Sequence, residues 1–235
     1  MKIKVDRKVL IEMVKNDEDV TNVDTSEITN MIGIFYGYEE FNQDISGWDV
    51  SNVIGMKFMF YGCKSFNQDL SSWDVSNVEN MYMLFYECEE FNQDISSWGV
   101  SSVKDMHSMF SGCKSFNQDI SSWDVSKVED MGDMFEGCDS FNKDISSWDI
   151  SNVKIMGNMF EGCQKFEYKN FKRKIDILEH VINEEELLNL NKEKLLDYLS
   201  MYKEYDGMKI KVLSTVRKEE ILEKVVEIFG VQFPF

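Results

Sequence analysis

A single 25-residue period governs most of this chain. The same residue types return at that interval between residues 31 and 166. A fixed period of this length is typical of a repeat array, in which each unit buries its apolar face against its neighbours. The period therefore restricts the possible folds more than composition does. The recurring residues are Met31, Met56, Met81, Met106, Met131 and Met156; Phe41, Phe66, Phe91, Phe116, Phe141 and Phe166; Trp48, Trp73, Trp98, Trp123 and Trp148; and Cys63, Cys88, Cys113, Cys138 and Cys163.

Within one repeat, the pattern predicts a short helix followed by a short strand. Apolar residues in 76–88 recur three and four positions apart, as on one face of a helix. Ser76 and Glu79 are spaced as a capping box, and glycine stands where the helix is expected to end. Glu87 replaces that glycine in one repeat, which predicts an alternative or strained conformation there. Residues 66–71 are predicted to form a strand that stacks into a parallel sheet.

Three parts of the chain follow from the period. Residues 1–40 hold a helix-like segment and a degenerate first repeat, and residues 41–166 hold five repeats without an insertion. Residues 167–235 lack the period and are predicted to be a mostly helical C-terminal cap or appendage, because repeat arrays need polar-faced ends.

The repeat also resembles a known family. The stretch MFYGCKSFNQDLSSWDVSNV, residues 59–78, is similar to the repeat of BspA-like leucine-rich-repeat surface proteins. The resemblance covers about residues 6–166. It implies an α/β solenoid of the leucine-rich-repeat type, right-handed, with parallel strands on one face and short helices on the other. It further implies adhesion or protein binding without enzyme activity, and a cell-surface or secreted location.

Charge and hydropathy bear on partners and location. The formal net charge of −18 repels phosphate backbones and anionic lipid surfaces, so nucleic acid is not the expected partner. A faint resemblance of residues 184–229 to the SAP-type nucleic-acid-binding motif keeps that function as an alternative. The chain has no apolar run of transmembrane length, and its N-terminus lacks the pattern of a secretory signal. From the residues alone, we expect a cytoplasmic protein without membrane insertion.

No motif of catalysis or cofactor binding is present, and we expect no enzyme activity and no cofactor. The cysteines are predicted to be reduced, buried thiols, because in-register side chains point the same way and not at each other. Zinc is not expected, because no CxxC pair exists and His107 and His180 are isolated. Recurring Asn and Asp columns raise a calcium-dependent adhesin as an alternative, although backbone N–H groups can serve the same carboxylates. These columns are Asn42, Asn67, Asn92, Asn117 and Asn142, and Asp44, Asp69, Asp94, Asp119 and Asp144.

The positions that vary between repeats are the candidate binding surface. The repeat does not dictate these residues, so we expect them to face solvent, and in the early repeats they are rich in aromatic side chains. Clustered exposed aromatic residues are typical of interfaces. The alternative is that several of them pack against the N-terminal cap or neighbouring helices. The predicted function is non-enzymatic protein–protein interaction with a protein partner, through Phe58, Tyr61, Tyr82, Met83, Tyr86 and His107.

Overall fold

The structure, a computed structural model, describes residues 2–167 and residue 171. Its N-terminal part consists of strand β1 (Ile3–Lys4), helix α1 (Arg7–Lys15) and strand β2 (Val23–Asp24). The two strands pair in parallel, with Ile3 opposite Val23. Asp6 is the N-cap of α1, and its Oδ1 accepts a hydrogen bond from the backbone N–H of Val9 at 2.9 Å. Helix α1 confirms the helix predicted for the N-terminal segment.

Successive repeats stack through backbone hydrogen bonds. The N–H of Phe60 donates to the carbonyl of Leu84 at 3.0 Å, and the same bond joins equivalent residues of the other repeats. The N–H groups that alternate with these donors bond within their own repeat. For example, the N–H of Met59 donates to the carbonyl of Met56 at 3.2 Å. Single-residue parallel bridges continue the contact along the array, at Asn30, Gly55, Asn80, Asp105, Asp130 and Ile155.

The short helices predicted in each repeat are wrong. Residues 81–87 and their equivalents form consecutive turns, because every second N–H is used by the next repeat and is not available for an i to i−4 helical bond. Ser76 does not cap a helix; its N–H donates to Asp74 Oδ1 at 3.0 Å. In these turns, the N–H of one residue donates to the carbonyl three residues before it. Such turns bury apolar residues at nearly the same spacing as a helix does, so the sequence pattern resembles that of a helix.

The strand predicted at 66–71 is also wrong. Residues 66–71 do not form a strand, and the N–H of Asn67 donates to the side-chain Oδ1 of Asn42 at 2.9 Å where a parallel sheet would use a carbonyl. Right-handedness and the leucine-rich-repeat class of the array stay predictions.

Arg7 closes the first end of the stack. In later repeats, the carbonyls of Gly55 and Lys57 accept N–H groups from the preceding repeat. The equivalent carbonyls of the first repeat have no preceding repeat, and the guanidinium of Arg7 takes its place. Nε donates to Asn30 O at 3.1 Å and Nη2 donates to Ile32 O at 2.6 Å. Arg7 thus joins α1 to the array by satisfying two edge carbonyls.

Aromatic columns fill the core. Phe60 and Phe85 stack with ring centroids 5.4 Å apart, and Trp98 and Trp123 stack at 6.5 Å. Each tryptophan Nε1 also donates to a carbonyl near the start of the preceding repeat; for Trp98 the acceptor is Leu70 O at 3.0 Å. These buried columns confirm the predicted core.

Two residues of each turn segment adopt left-handed backbone conformations. Glycine supplies one of them in four of the five repeats, and Glu87 supplies it in the remaining one with φ of +56°. This confirms the strain predicted at Glu87. The positions concerned are Gly33, Phe58, Met83, Ser108, Asp133 and Asn158, and Gly37, Gly62, Glu87, Gly112, Gly137 and Gly162.

We expect Glu87→Gly to raise the free energy of unfolding by about 1 kcal/mol, because glycine adopts positive φ without a Cβ clash. Urea denaturation is the measurement. Gly112→Ala is the matched opposite change. Its φ is +76° and an added Cβ would lie 3.2 Å from Glu87 Cα, so we expect it to destabilise the fold. A lower denaturation midpoint for Glu87→Gly would contradict the strain.

Candidate functional site

The structure brings five of the six predicted residues into ring contact, with one further tyrosine. Together they form what we call the aromatic surface: Tyr36, Phe58, Tyr61, Tyr82, Tyr86 and His107. Met83 lies one repeat after Phe58 in the same column. Whether these residues bind a partner stays a prediction.

Three tyrosines of successive repeats stack face to face. The ring centroids of Tyr36 and Tyr61 are 4.5 Å apart and those of Tyr61 and Tyr86 are 4.7 Å apart, with an interplanar angle of 7° in both pairs. The backbone stacking holds them in register, so the column is formed before any partner arrives. Sequence reasoning missed Tyr36, although it stands 25 residues before Tyr61.

A second aromatic row lies beside the tyrosine column. Tyr82 stacks on the His107 imidazole at 5.3 Å, and Phe58 meets Tyr82 edge to face at 5.1 Å. Phe58 also lies 6.2 Å from the rings of Tyr36 and Tyr61. It therefore joins the two rows into one continuous surface.

The aromatic side chains are partly accessible. Tyr36 is 53% exposed, and the other five residues of the aromatic surface are half-buried. The expectation of solvent-facing residues thus holds in part, because the rings cover one another. None of these contacts involves a helix of a neighbouring repeat, since residues 31–163 form turns and not helices.

Two bulky residues of the early repeats are held in a costly conformation. Phe58 has φ of +58° and Met83 has φ of +51°, where glycine or asparagine is normally preferred. The same column holds Gly33 in the first repeat and Asn158 in the last. Backbone strain of this kind is concentrated at functional sites in proteins.

Carboxylates border the aromatic surface on its C-terminal side. His107 Nδ1 lies 3.4 Å from Asp130 Oδ1, and His107 Nε2 lies 3.5 Å from Asp133 Oδ2. Gly132 leaves room for this ring, because a Cβ there would lie 2.8 Å from His107 Nδ1. Glu136 accepts a hydrogen bond from Ser111 Oγ at 3.1 Å. We call Asp130, Asp133 and Glu136 the acidic border.

The acidic border acts electrostatically on the tyrosine column. Burial raises the pKa of Tyr86, and the negative charges of Glu87, Glu136 and Asp133 raise it further. These carboxylates therefore lie close enough to the Tyr86 hydroxyl to stabilise its protonated form, and they give this end of the surface a negative potential.

The cysteine column is part of the core. Cys63, Cys88, Cys113 and Cys138 are buried, as predicted, whereas Cys163 is half-buried. Each Sγ donates to a carbonyl of the preceding repeat, at 2.9 Å from Cys113 to Phe85 O. Burial raises the pKa of Cys63 and of Cys163 to about 12, so these thiols stay protonated at neutral pH.

The aspartate column holds backbone turns, whereas the asparagine column joins each repeat to the next. Asp94 Oδ1 accepts the N–H of Ser96 at 2.9 Å, and the other four repeats contain the same bond. These bonds from the serine lower the pKa of Asp44, Asp69, Asp94 and Asp119. The predicted structural role of the aspartates is therefore observed. Within residues 2–167, no three His, Cys, Asp or Glu side chains are grouped so that they could hold a metal ion.

The predictions for the C-terminal part of the chain and for membrane insertion extend beyond the residues that the structure describes. The C-terminal cap or appendage, residues 167–235, and the SAP-like segment, residues 184–229, lie outside the described residues apart from 167 and 171. In the described part of the chain, no helix is both long and apolar enough to cross a membrane.

These features define a repeat protein whose 25-residue units bond to one another at equivalent positions. The chain belongs to the family described as "Mycoplasma protein of unknown function, DUF285". The family model matches residues 7–114 and again residues 93–194. No curated protein and no solved structure matches the chain.

Proposed function

We propose that this chain is a non-enzymatic interaction protein that binds a partner protein through the aromatic surface. The observation that carries the proposal is the continuity of that surface. Six ring-bearing side chains from four successive repeats contact one another at positions that the repeat leaves free to vary. Aromatic residues are enriched in the buried centres of protein interfaces.

The aromatic surface is also suited to binding because it is preorganised. Tyr36, Tyr61 and Tyr86 are stacked in the free protein, so a partner does not have to order them. Less side-chain entropy is then lost on association, which leaves more of the contact energy as affinity.

Strain at Phe58 and Met83 supports the same function. Later repeats place Ser108, Asp133 and Asn158 at that position, and these residues build the turn without a large apolar side chain. The fold therefore does not require Phe or Met there. A role in recognition explains why large apolar groups occupy a position that disfavours them.

The finer class is part of this proposal. We infer a right-handed solenoid of the BspA-like leucine-rich-repeat type, in which the partner-binding function is adhesion at the cell surface or after secretion. A cytoplasmic interaction protein is the alternative location. Both locations are compatible with the aromatic surface, since neither changes its geometry.

The test replaces Tyr86 by the serine that the array itself uses at position 111. We expect Tyr86→Ser to weaken binding of the partner by about 10- to 100-fold, which corresponds to about 1.4–2.8 kcal/mol. Loss of the Tyr61 stack is expected to cost only about 0.5–1.5 kcal/mol of stability. The measurement is quantitative mass spectrometry of proteins retained from source cells, followed by titration of the retained protein.

Tyr38→Ser is the matched control. Tyr38 is 37% exposed and makes no ring contact within the described residues. We expect it to leave binding unchanged. Equal retention of the partner by native protein and Tyr86→Ser, with both chains folded, would show that the aromatic surface is not the binding site.

A further inference from the structure

We propose that the partner docks with a basic segment, in which Lys or Arg side chains contact the acidic border while an apolar or aromatic side chain covers the tyrosine column. This inference rests on the proposed function and names the chemistry of the partner.

The acidic border has no Lys or Arg partner within the described residues, unlike the glutamates that pair with a lysine of the next repeat. Glu79, Glu89 and Glu129 each pair with a lysine one repeat later, at 2.9, 2.7 and 2.6 Å. Among residues 2–167, no Lys or Arg forms an ion pair with Asp130, Asp133 or Glu136. The His107 imidazole contacts the two aspartates, and apart from it the carboxylates of the acidic border accept hydrogen bonds only from the Gly132 N–H and Ser111 Oγ among the contacts of the described residues. The acidic border therefore places negative charge beside the aromatic rings without a Lys or Arg partner among residues 2–167.

Partial burial makes the charge of the acidic border more effective. Asp130, Asp133 and Glu136 are half-buried, so water screens them less than it screens the fully exposed carboxylates. A cation brought to them gains more than it would at an exposed carboxylate. It also lies close to aromatic rings, which attract cations through their π faces.

Position along the array sets the orientation of the partner. Lys57 occupies the place of Tyr82 one repeat earlier, whereas the acidic border lies two repeats later than Tyr82. The surface thus runs from a lysine, through aromatic rings, to carboxylates. A docked segment is expected to place its basic residues towards Glu136 and its apolar residue over Tyr61 and Tyr86.

The overall charge favours the same class of partner. Residues 1–166 contain 13 Lys and Arg against 29 Asp and Glu. Long-range attraction therefore speeds the approach of a basic segment and repels an acidic one. Binding at the acidic border differs from this general attraction because it depends on the position of particular carboxylates. Removing those carboxylates should therefore weaken binding more than removing the same charge elsewhere.

The probes are three labelled synthetic peptides of equal length, with alternating Lys and Phe, Glu and Phe, or Lys and Ser. Fluorescence anisotropy measures binding to the full chain at low and physiological salt. We expect the Lys/Phe peptide to bind at least about tenfold more tightly than either other peptide, since it alone satisfies both halves of the surface.

The informative variant combines Asp133→Asn with Glu136→Gln. Asn158 already occupies the equivalent of position 133 with a similar left-handed φ, so the turn tolerates asparagine. We expect the double variant to bind the Lys/Phe peptide about tenfold more weakly, and to bind the Glu/Phe peptide no more weakly than native protein does. Asp119→Asn with Asp94→Asn removes the same charge from the Asp–Ser turns and is expected to have a smaller effect.

The other possible results distinguish the proposal of a basic partner segment from the proposal that the aromatic surface binds a partner. Equal weakening by both double variants would show general charge attraction and overturn the inference. No binding of the Lys/Phe peptide, or equally tight binding of the Glu/Phe peptide, would also overturn it. If Tyr86→Ser still weakens partner binding in these cases, the proposed function stands. Peptide and partner binding that Tyr86→Ser leaves unchanged would contradict the proposed function itself.

Discussion

Trp98→Ala is expected to lower the free energy of unfolding by about 3–5 kcal/mol, because it leaves a large cavity at the centre of the array. Trp98 is 3% exposed and packs against Phe85 at 6.1 Å and Trp123 at 6.5 Å. The change also removes the Nε1 donor to Leu70 O, so a buried carbonyl loses its hydrogen bond. Urea denaturation followed by circular dichroism measures the loss.

Trp98→Phe is the control for the cavity. It keeps an aromatic ring and loses only the indole donor and part of the volume, so we expect a cost of about 1–3 kcal/mol. If Trp98→Ala is no worse than Trp98→Phe, the tryptophan column contributes through its hydrogen bond and not through packing.

Asn92→Ala is expected to lower the free energy of unfolding by about 2–3 kcal/mol, because one side-chain oxygen holds two donors of the next repeat. Asn92 Oδ1 accepts the N–H of Asn117 at 2.9 Å and Nε2 of Gln118 at 2.9 Å. Alanine removes the side-chain acceptor of both donors at a half-buried position, and Gln118 Nε2 keeps only the Asn92 backbone carbonyl, at 2.7 Å. Differences in denaturation midpoint, at an unchanged slope, measure the effect.

Asn152→Ala is the matched control, since it makes the same substitution at an exposed asparagine. Asn152 makes a single hydrogen bond from Nδ2 to Ser126 O at 2.7 Å. Water replaces such a bond readily, so we expect a loss of less than about 1 kcal/mol. Equal losses at Asn92 and Asn152 would mean that the asparagine column does not hold the repeats together.

Residue columns that recur in every repeat and columns that vary between repeats have different roles. Trp98 and Asn92 belong to columns that recur in every repeat, and their contacts join one repeat to the next. Tyr86 belongs to a column that changes from tyrosine through Ser111 to Glu136. Substitutions in the first kind of column are therefore expected to reduce stability, and substitutions in the second kind to reduce binding.

Alternating charges also depend on stacking. Glu79, Lys104, Glu129 and Lys154 occupy one column, and each lysine pairs with the glutamate one repeat before it. Both partners are more than half exposed, so each pair contributes little to stability. A shift of the stacking register by one repeat would place like charges together, so these pairs favour the observed register.

The sequence alone was sufficient to predict the period, the buried columns and the variable columns whose aromatic side chains come together. These follow from residue type at a fixed interval, and burial of Trp98 or Cys113 requires only that repeats stack. The backbone strain at Glu87 was predictable for the same reason. Four other repeats have glycine at the equivalent position, which shows that the backbone there prefers glycine. The helix in each repeat was predicted wrongly, since apolar spacing of three and four does not distinguish a helix from consecutive turns.

Only the tertiary structure decided where the backbone hydrogen bonds go and which variable side chains meet. The N–H of Phe60 donates to a carbonyl 24 residues later in the chain, whereas a helix would use the carbonyl 4 residues earlier. Local sequence propensity does not determine which of these two acceptors is used. Contact of Phe58 with Tyr82, and of His107 with Asp133, likewise joins residues that are distant along the chain. The period determined that the repeats stack, whereas the three-dimensional register determined that the aromatic rings and the acidic border form one surface.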